Sequence, residues 1–196
     1  DLDETLWRGI VGEVGAAGVD WSQETHAQTH GLYQLMLRQL AEMGVLLAVA
    51  SKNDTAMVAG AMARKDLLAP AASFFPVCAN WGRKSESVRE ILQAWNIGAD
   101  SVVFVDDNPM ELEEVGQAHP GITCLQFHGK SAPKTVDLLE RLRALFGRGE
   151  IQREDSLRQA SIRANAALRE SAGGAASESF LQGLAGRVTF DAAKDA

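Results

Sequence analysis

Between residues 22 and 127 the chain alternates two kinds of segment: stretches whose apolar residues recur three and four apart, and short unbroken apolar runs. The first pattern predicts amphipathic helices, and the second predicts strands buried on both faces. Ser22 is placed to cap a helix whose buried face is Leu32, Leu35, Met36, Leu40 and Met43, ended by Gly44. The run VLLAVA at 45–50 is the first strand, and Asn53 or Asp54 caps the next helix, which extends to Arg64. After a turn around Pro70, FFPVCA at 74–79 reads as a strand weakened by Pro76, which has no N–H to give to a ladder. Ser85 caps a helix with Val88, Ile91, Leu92 and Trp95 on one face, and SVVFV at 101–105 is a strand. Pro109 suits the first turn of a helix reaching Ala118, ITCLQF at 122–127 is a further strand, and Pro133–Phe146 is a helix.

Apolar strands separated by amphipathic helices predict an α/β, Rossmann-like fold, with a parallel sheet flanked by helices and ligands beyond the carboxyl ends of the strands. Residues 1–150 are expected to form this domain. Residues 151–196 are expected to be a helical C-terminal extension leading toward a further domain. It holds a charge-rich helix over Glu150–Glu170, a Gly/Ala/Ser linker over Ser171–Ser177, a short helix at Phe180–Leu184 and a strand at Arg187–Phe190. The chain opens at Asp1 without methionine and with an acidic motif already under way, which predicts residues upstream.

Composition narrows the classes of function. With 46% hydrophobic and 23% charged residues in 196, the chain can bury a core of its own. Its formal charge is −7 and no run of clustered Lys/Arg occurs, which argues against nucleic-acid and anionic-membrane partners. The longest apolar run, Val45–Ala50, is too short to cross a bilayer, and two cysteines make no disulfide framework. A cytoplasmic location is the expectation.

Strand ends carry polar groups that strands do not need. DLDET opens the chain with Asp1, Asp3 and Thr5; Ser51-Lys52-Asn53 follows the first apolar run; Asp106-Asp107-Asn108 follows SVVFV; and Lys84 opens a helix. In a parallel sheet these converge on one rim. Four carboxylates so close demand a cation or shared protons, and Mg²⁺, a hard ion that bridges carboxylates to phosphate, is the natural answer. Ser51, the N–H groups near Asn53, and Lys84 then form a phosphate cradle. Together they describe phosphoryl transfer to Asp1, with Asp3 exchanging protons and Lys84 neutralising oxyanions. Trp7 and Trp81 are either walls of the substrate cleft or core, and Lys52 is either a substrate contact or a surface charge. His26 and His30 read as a solvated or packed pair, because no carboxylate completes a metal set.

The order D-x-D-x-T, S, K, DD matches the four motifs of the haloacid dehalogenase (HAD) superfamily. The stretches DLDETLWRGIVGEVG, GVLLAVASKND, NWGRKSE and NIGADSVVFVDDNPMELEEV further resemble its FkbH-like branch over roughly residues 1–150, Trp7, Gly9, Gly12, Asn80-Trp81 and Asn108-Pro109 lying outside the general signature. The resemblance implies a HAD fold with a small or absent cap and a core strand immediately upstream of Asp1. It implies Asp1 as nucleophile and Mg²⁺ ligand, Asp3 as acid/base with its backbone carbonyl on the metal, and Asp107 as direct ligand with Asp106 direct or through water. Thr5, Ser51 and Lys84 would hold phosphate. The branch takes a glyceryl unit from 1,3-bisphosphoglycerate, removes the phosphate, and delivers glyceryl to the phosphopantetheine arm of an acyl carrier protein in polyketide biosynthesis.

Two positions depart from that branch. Its acyl-carrying cysteine is replaced by Ala50, either naturally or by deliberate substitution, and Glu4 stands where asparagine is usual. Cys78 and Cys124 sit within expected strands and read as structural thiols. Two rival readings stay open: a phosphatase acting on a free small phosphorylated metabolite, and a phospho-receiver that switches binding without turnover, although receivers place the acidic pair first.

Overall fold

The computed structural model describes residues 1–147 and 161–165. Among the described residues four strands, β1 (Leu47–Ser51), β2 (Phe74–Ala79), β3 (Val103–Asp106) and β4 (Thr123–Gln126), alternate with helices. These are α1 (Val11–Val14), α2 (Gln28–Glu42), α3 (Thr55–Met62), α4 (Lys84–Trp95), α5 (Pro109–Ala118) and α6 (Ala132–Phe146). β1 pairs with β2 and β3 with β4, both parallel. Alternate residues of the strands feed opposite apolar clusters. Leu47, Val49 and Val105 pack with Leu37, Leu40 and Leu138 on one side; Ala50, Cys78 and Phe104 pack with Val88, Ile91 and Val115 on the other. That double burial is why the runs are apolar at every position.

Helix ends follow local chemistry. α2 closes with Val45 N–H donating to the Leu40 carbonyl and Gly44 N–H to Ala41, Gly44 taking φ +85° as the left-handed closing residue. Asp54 caps α3 by accepting from Ala56 and Met57 N–H, and Asn108 caps α5 by accepting from Met110 N–H. β2 keeps Pro76 because it is paired on β1 alone and because the register slips one residue between Leu47↔Phe74 and Val49↔Val77, which absorbs the missing donor.

Three sequence expectations are corrected. Ser22 does not cap α2; its hydroxyl accepts from Glu24 N–H in a preceding turn, and α2 starts after Ala27 with no side-chain cap. The buried face of α2 is His30, Tyr33, Gln34, Leu37 and Leu40, leaving Leu32 exposed. Two polar residues find buried carbonyl partners there, so counting apolar positions alone misplaces the face. Ser85 does not cap α4 either. It lies inside the first turn, bonded to another helix, and Arg83 holds the cap position without a side-chain bond.

β1 and β3 do not pair with each other. Between them lies an apolar cavity of about 630 Å³, lined by Val45–Ala50 on one side, Val102–Val105 on the other, and Leu2 and Leu6. Asp1 lies beside β3, its nitrogen donating to the Val105 carbonyl at 2.9 Å. The segment from Arg8 to Trp21 contains only α1 and a bridge between Arg8 and Asp20, so no inserted cap domain stands over the strand ends among the described residues. Arg64 pins this segment, donating to the Val19 and Ala16 carbonyls and stacking 4.0 Å from the Trp21 ring centroid.

Within 151–196 only 161–165 is described, as helix, with Ile162 against the α4 cluster. The linker at Ser171–Ser177, the helix at Phe180–Leu184 and the strand at Arg187–Phe190 lie outside the described residues. No described helix is long and apolar enough to cross a membrane.

Candidate active site

Each motif sits where a strand yields to a helix. Ser51 is the last residue of β1, Asp106 the last of β3, Lys84 the first of α4, and Asp1–Thr5 form the turn beside β3. Thr5 Oγ1 accepts from Asp107 N–H at 3.1 Å and reaches Asp107 Oδ1 at 3.4 Å, which fastens the opening motif to the final acidic pair.

Asp1, Asp106 and Asp107 offer one carboxylate oxygen each within 4.8 Å of one another. Lys84 bridges two of them, with Nζ 2.5 Å from Asp106 Oδ2 and 3.1 Å from Asp1 Oδ2. Asp106 is fully buried, its other oxygen accepting from Asn108 N–H. Burial, and then the Asp106 charge, push the Asp107 carboxyl above its ordinary range. Asp1 Oδ1 is buried and has no hydrogen-bond partner among the described residues. Three carboxylates against one ammonium leave an uncompensated negative centre, and an orphaned buried oxygen points to a further positive partner. A hard divalent cation fits this donor set.

Asp3 stands apart from that trio. Its Oδ1 accepts from the Trp7 indole N–H at 2.8 Å and from Val11 N–H at 3.1 Å, and its Oδ2 accepts from Asn53 Nδ2 at 3.0 Å. Asn53 Nδ2 also reaches Ser51 Oγ at 3.2 Å, so one amide ties the second aspartate to the end of β1. Trp7 does not wall the cleft: it is fully buried against Trp21, because its indole N–H is needed at Asp3 and its ring in the core. Trp81, after β2, is 76% exposed. Lys52 pairs with Glu111 of α5 at 2.8 Å. Thr5 is fully buried, and its hydroxyl is engaged by Asp107.

Ala50 faces the apolar cluster under α4, beside Cys78 in the paired register, whereas Ser51 lies on the rim. Burial and the neighbouring Glu90 push the Cys78 thiol up to about 11, and burial likewise raises Cys124, so neither is a ready thiolate. His26 is exposed while His30 is buried, so the two do not meet at a metal.

Several supporting residues escape a reading of the sequence. Nδ1 of His30 lies 3.0 Å from the Thr5 carbonyl, and Gln34 Nε2 donates to the Leu6 carbonyl at 2.9 Å, so α2 grips the backbone just past the acidic motif. Glu4 takes φ +52° and accepts from Gly9 N–H at 2.7 Å, and Gly9 itself has φ +100°. The left-handed region explains why asparagine suits position 4 and why glycine suits position 9, a signal present in the motif itself.

No family model matches the sequence, and no curated protein matches it. Among solved structures the chain is similar to the N-terminal part of the protein BF1531 from Bacteroides fragilis, a crystal structure containing a phosphatase domain complexed with Mg. The identity is 31% over 74% of this chain, with a TM-score of 0.66, and the chain spans 38% of the length of that structure. The two share an α/β fold of parallel strands flanked by helices, consistent with the HAD-like architecture expected above.

Proposed function

We propose that the chain is a Mg²⁺-dependent phosphatase domain that works through an aspartyl-phosphate on Asp1. The observation that carries this reading is the convergence of Asp1, Asp106 and Asp107 within 4.8 Å around a partnerless Asp1 oxygen, with Lys84 across two of the three. A likeness to a phosphatase domain complexed with Mg supports it. Asp1, Asp106 and Asp107 would hold the ion, with the Asp3 backbone carbonyl as a further ligand. When bound, Mg²⁺ supplies positive charge against the carboxylates and the phosphate oxygens.

The protein's own groups do the rest. A carboxylate oxygen of Asp1 attacks phosphorus, and the leaving oxygen departs with a proton from Asp3. Asp3 then takes a proton from water, whose oxygen attacks the same phosphorus, releasing phosphate and restoring the Asp1 carboxylate. Lys84 offsets charge on Asp1 and the transferring phosphoryl group, and Ser51 donates to a phosphate oxygen. Asn53 holds Asp3 and Ser51 in register.

For the substrate we propose 1,3-bisphosphoglycerate, with glyceryl passed to an acyl carrier protein, on the strength of the FkbH-like stretches. Ala50 removes the thiol expected to carry glyceryl, so this chain would perform the phosphate chemistry and not the transfer. The test is phosphate release from 1,3-bisphosphoglycerate and from simple phosphomonoesters with Mg²⁺, for the protein and for Asp1→Asn. Release that Asp1→Asn abolishes supports the reading; equal release by Asp1→Asn overturns it. Mass spectrometry of carrier protein with Ala50→Cys decides the transfer step. A glyceryl adduct supports it, and an unchanged carrier with phosphate released leaves simple hydrolysis as the function.

A further inference from the structure

Lys84 is the only ammonium placed on the carboxylate trio among the described residues, and the helix it opens packs against α5. The residue next to it, Ser85, has every polar group engaged there. Ser85 N–H donates to Glu114 Oε2 at 3.2 Å, and its hydroxyl donates to Glu114 Oε1 in a very short bond. Its carbonyl is met at 2.8 Å by Nε2 of His119, the residue that closes α5. Ser85 is buried, and α4 has no side-chain cap of its own.

We infer that Glu114, with His119, is a positioning residue that fixes Lys84 on Asp106 and Asp1. A helix begins with N–H groups that lack intrahelical partners and with a partial positive charge; a carboxylate from a neighbouring helix satisfies both. The geometry goes beyond capping, because the same α5 follows directly from Asp106 and Asp107. One rigid helix therefore sets the acidic pair at its start and, through Glu114 one turn further on and His119 at its end, the first turn of the helix that carries the opposing ammonium. A buried ion pair gains from such fixing, since its attraction offsets desolvation only when the geometry is held.

This rests on the proposed phosphatase reading, and the test separates the two. The rate at which an amine reagent modifies Lys84 is followed by mass spectrometry in the full chain, with the exposed Lys65 and Lys134 as internal references. Glu114→Ala is expected to speed modification of Lys84 at least fivefold and to lower kcat for phosphate release about tenfold or more, with Glu114→Gln, which keeps an acceptor, recovering most of both. Asp54→Ala, which removes the cap of α3, is the control for general destabilisation and is expected to leave Lys84 slow to react. An unchanged Lys84 rate in Glu114→Ala, or an equal rise in Asp54→Ala, overturns the inference. If the unaltered protein releases no phosphate, the phosphatase reading fails, while the labelling still decides the positioning role.

Discussion

Lys84 Nζ lies 2.5 Å from Asp106 Oδ2 with both side chains nearly shut off from water, so each is buried against the other. Removing one partner strands a buried charge, at a cost of roughly 3–5 kcal/mol. Lys84→Met is therefore expected to lose activity and a large part of the stability, and Asp106→Asn to do the same. The double variant Lys84→Met/Asp106→Asn is expected to regain part of the stability without activity, Asp1 having also lost its ammonium partner. Urea unfolding of the four proteins checks this, and additive losses in the double variant would show that the pair is not coupled.

The carboxylate trio makes stability depend on divalent cation. A ligand that binds only the folded state stabilises it by about 2.7 kcal/mol at a hundredfold excess over Kd. Millimolar Mg²⁺ is expected to raise Tm, EDTA to remove the rise, and Asp107→Asn to blunt it by weakening the site. Scanning calorimetry reads all three, and a Tm indifferent to Mg²⁺ in the unaltered protein would count against the site.

His30 gives a stability that depends on pH. Burial holds its imidazole below the ordinary range, against the opposing pull of the Thr5 carbonyl. Between that lowered value and the unfolded value of about 6.5, the unfolded chain binds more protons than the folded one. The stabilisation is whole above about 6.5 and is lost as pH falls through the window, with a slope of at most about 1.4 kcal/mol per pH unit. Asp20 and Asp66 are held below the ordinary carboxylate range and titrate lower still. Denaturation midpoints between pH 7.5 and 5 are expected to fall for the unaltered protein and to fall less steeply in His30→Gln.

Lys52 stands one residue past Ser51 and is paired with Glu111 at 2.8 Å. A substrate carrying a second anionic group would compete with Glu111 for that ammonium. Glu111→Gln is expected to lower KM for phosphoesters bearing a second phosphate or carboxylate by about threefold, and to leave neutral-tailed phosphomonoesters unchanged. An equal shift for both substrate classes would assign the pair to structure alone.

The convergence of motifs was legible because a parallel sheet sends every strand's carboxyl end to the same rim, so D-x-D-x-T, Ser51, Lys84 and Asp106-Asp107 needed only the β/α rhythm to be brought together. The supporting contacts were not. Trp7 reads as either cleft wall or core because nothing in its neighbourhood announces that its N–H is spent on Asp3. His30 reads with His26 as a solvated or packed pair and Gln34 carries no signal of its own, and their partners, the carbonyls of Thr5 and Leu6, lie more than twenty residues away. Ser85 looked like a cap because serine near a helix start usually is one; its acceptor is a glutamate on another helix. Periodicity reports which face is apolar, and a buried polar residue with a distant partner is invisible to it.

The cavity between β1 and β3 leads to the last expectation. Among the described residues both strands present unpaired edges to about 630 Å³ of apolar space. A strand seated between β1 and β3 would pair both open edges and fill the space with side chains worth roughly 1.5–3 kcal/mol each before ordering costs. Six β-branched or leucine residues placed before Asp1 are therefore expected to raise Tm by about 4 °C or more, and the same extension with alternating Asp and Lys to give no gain. Equal Tm for both extensions would mean that the cavity closes by relaxation of β1 and β3 and that no strand belongs between them.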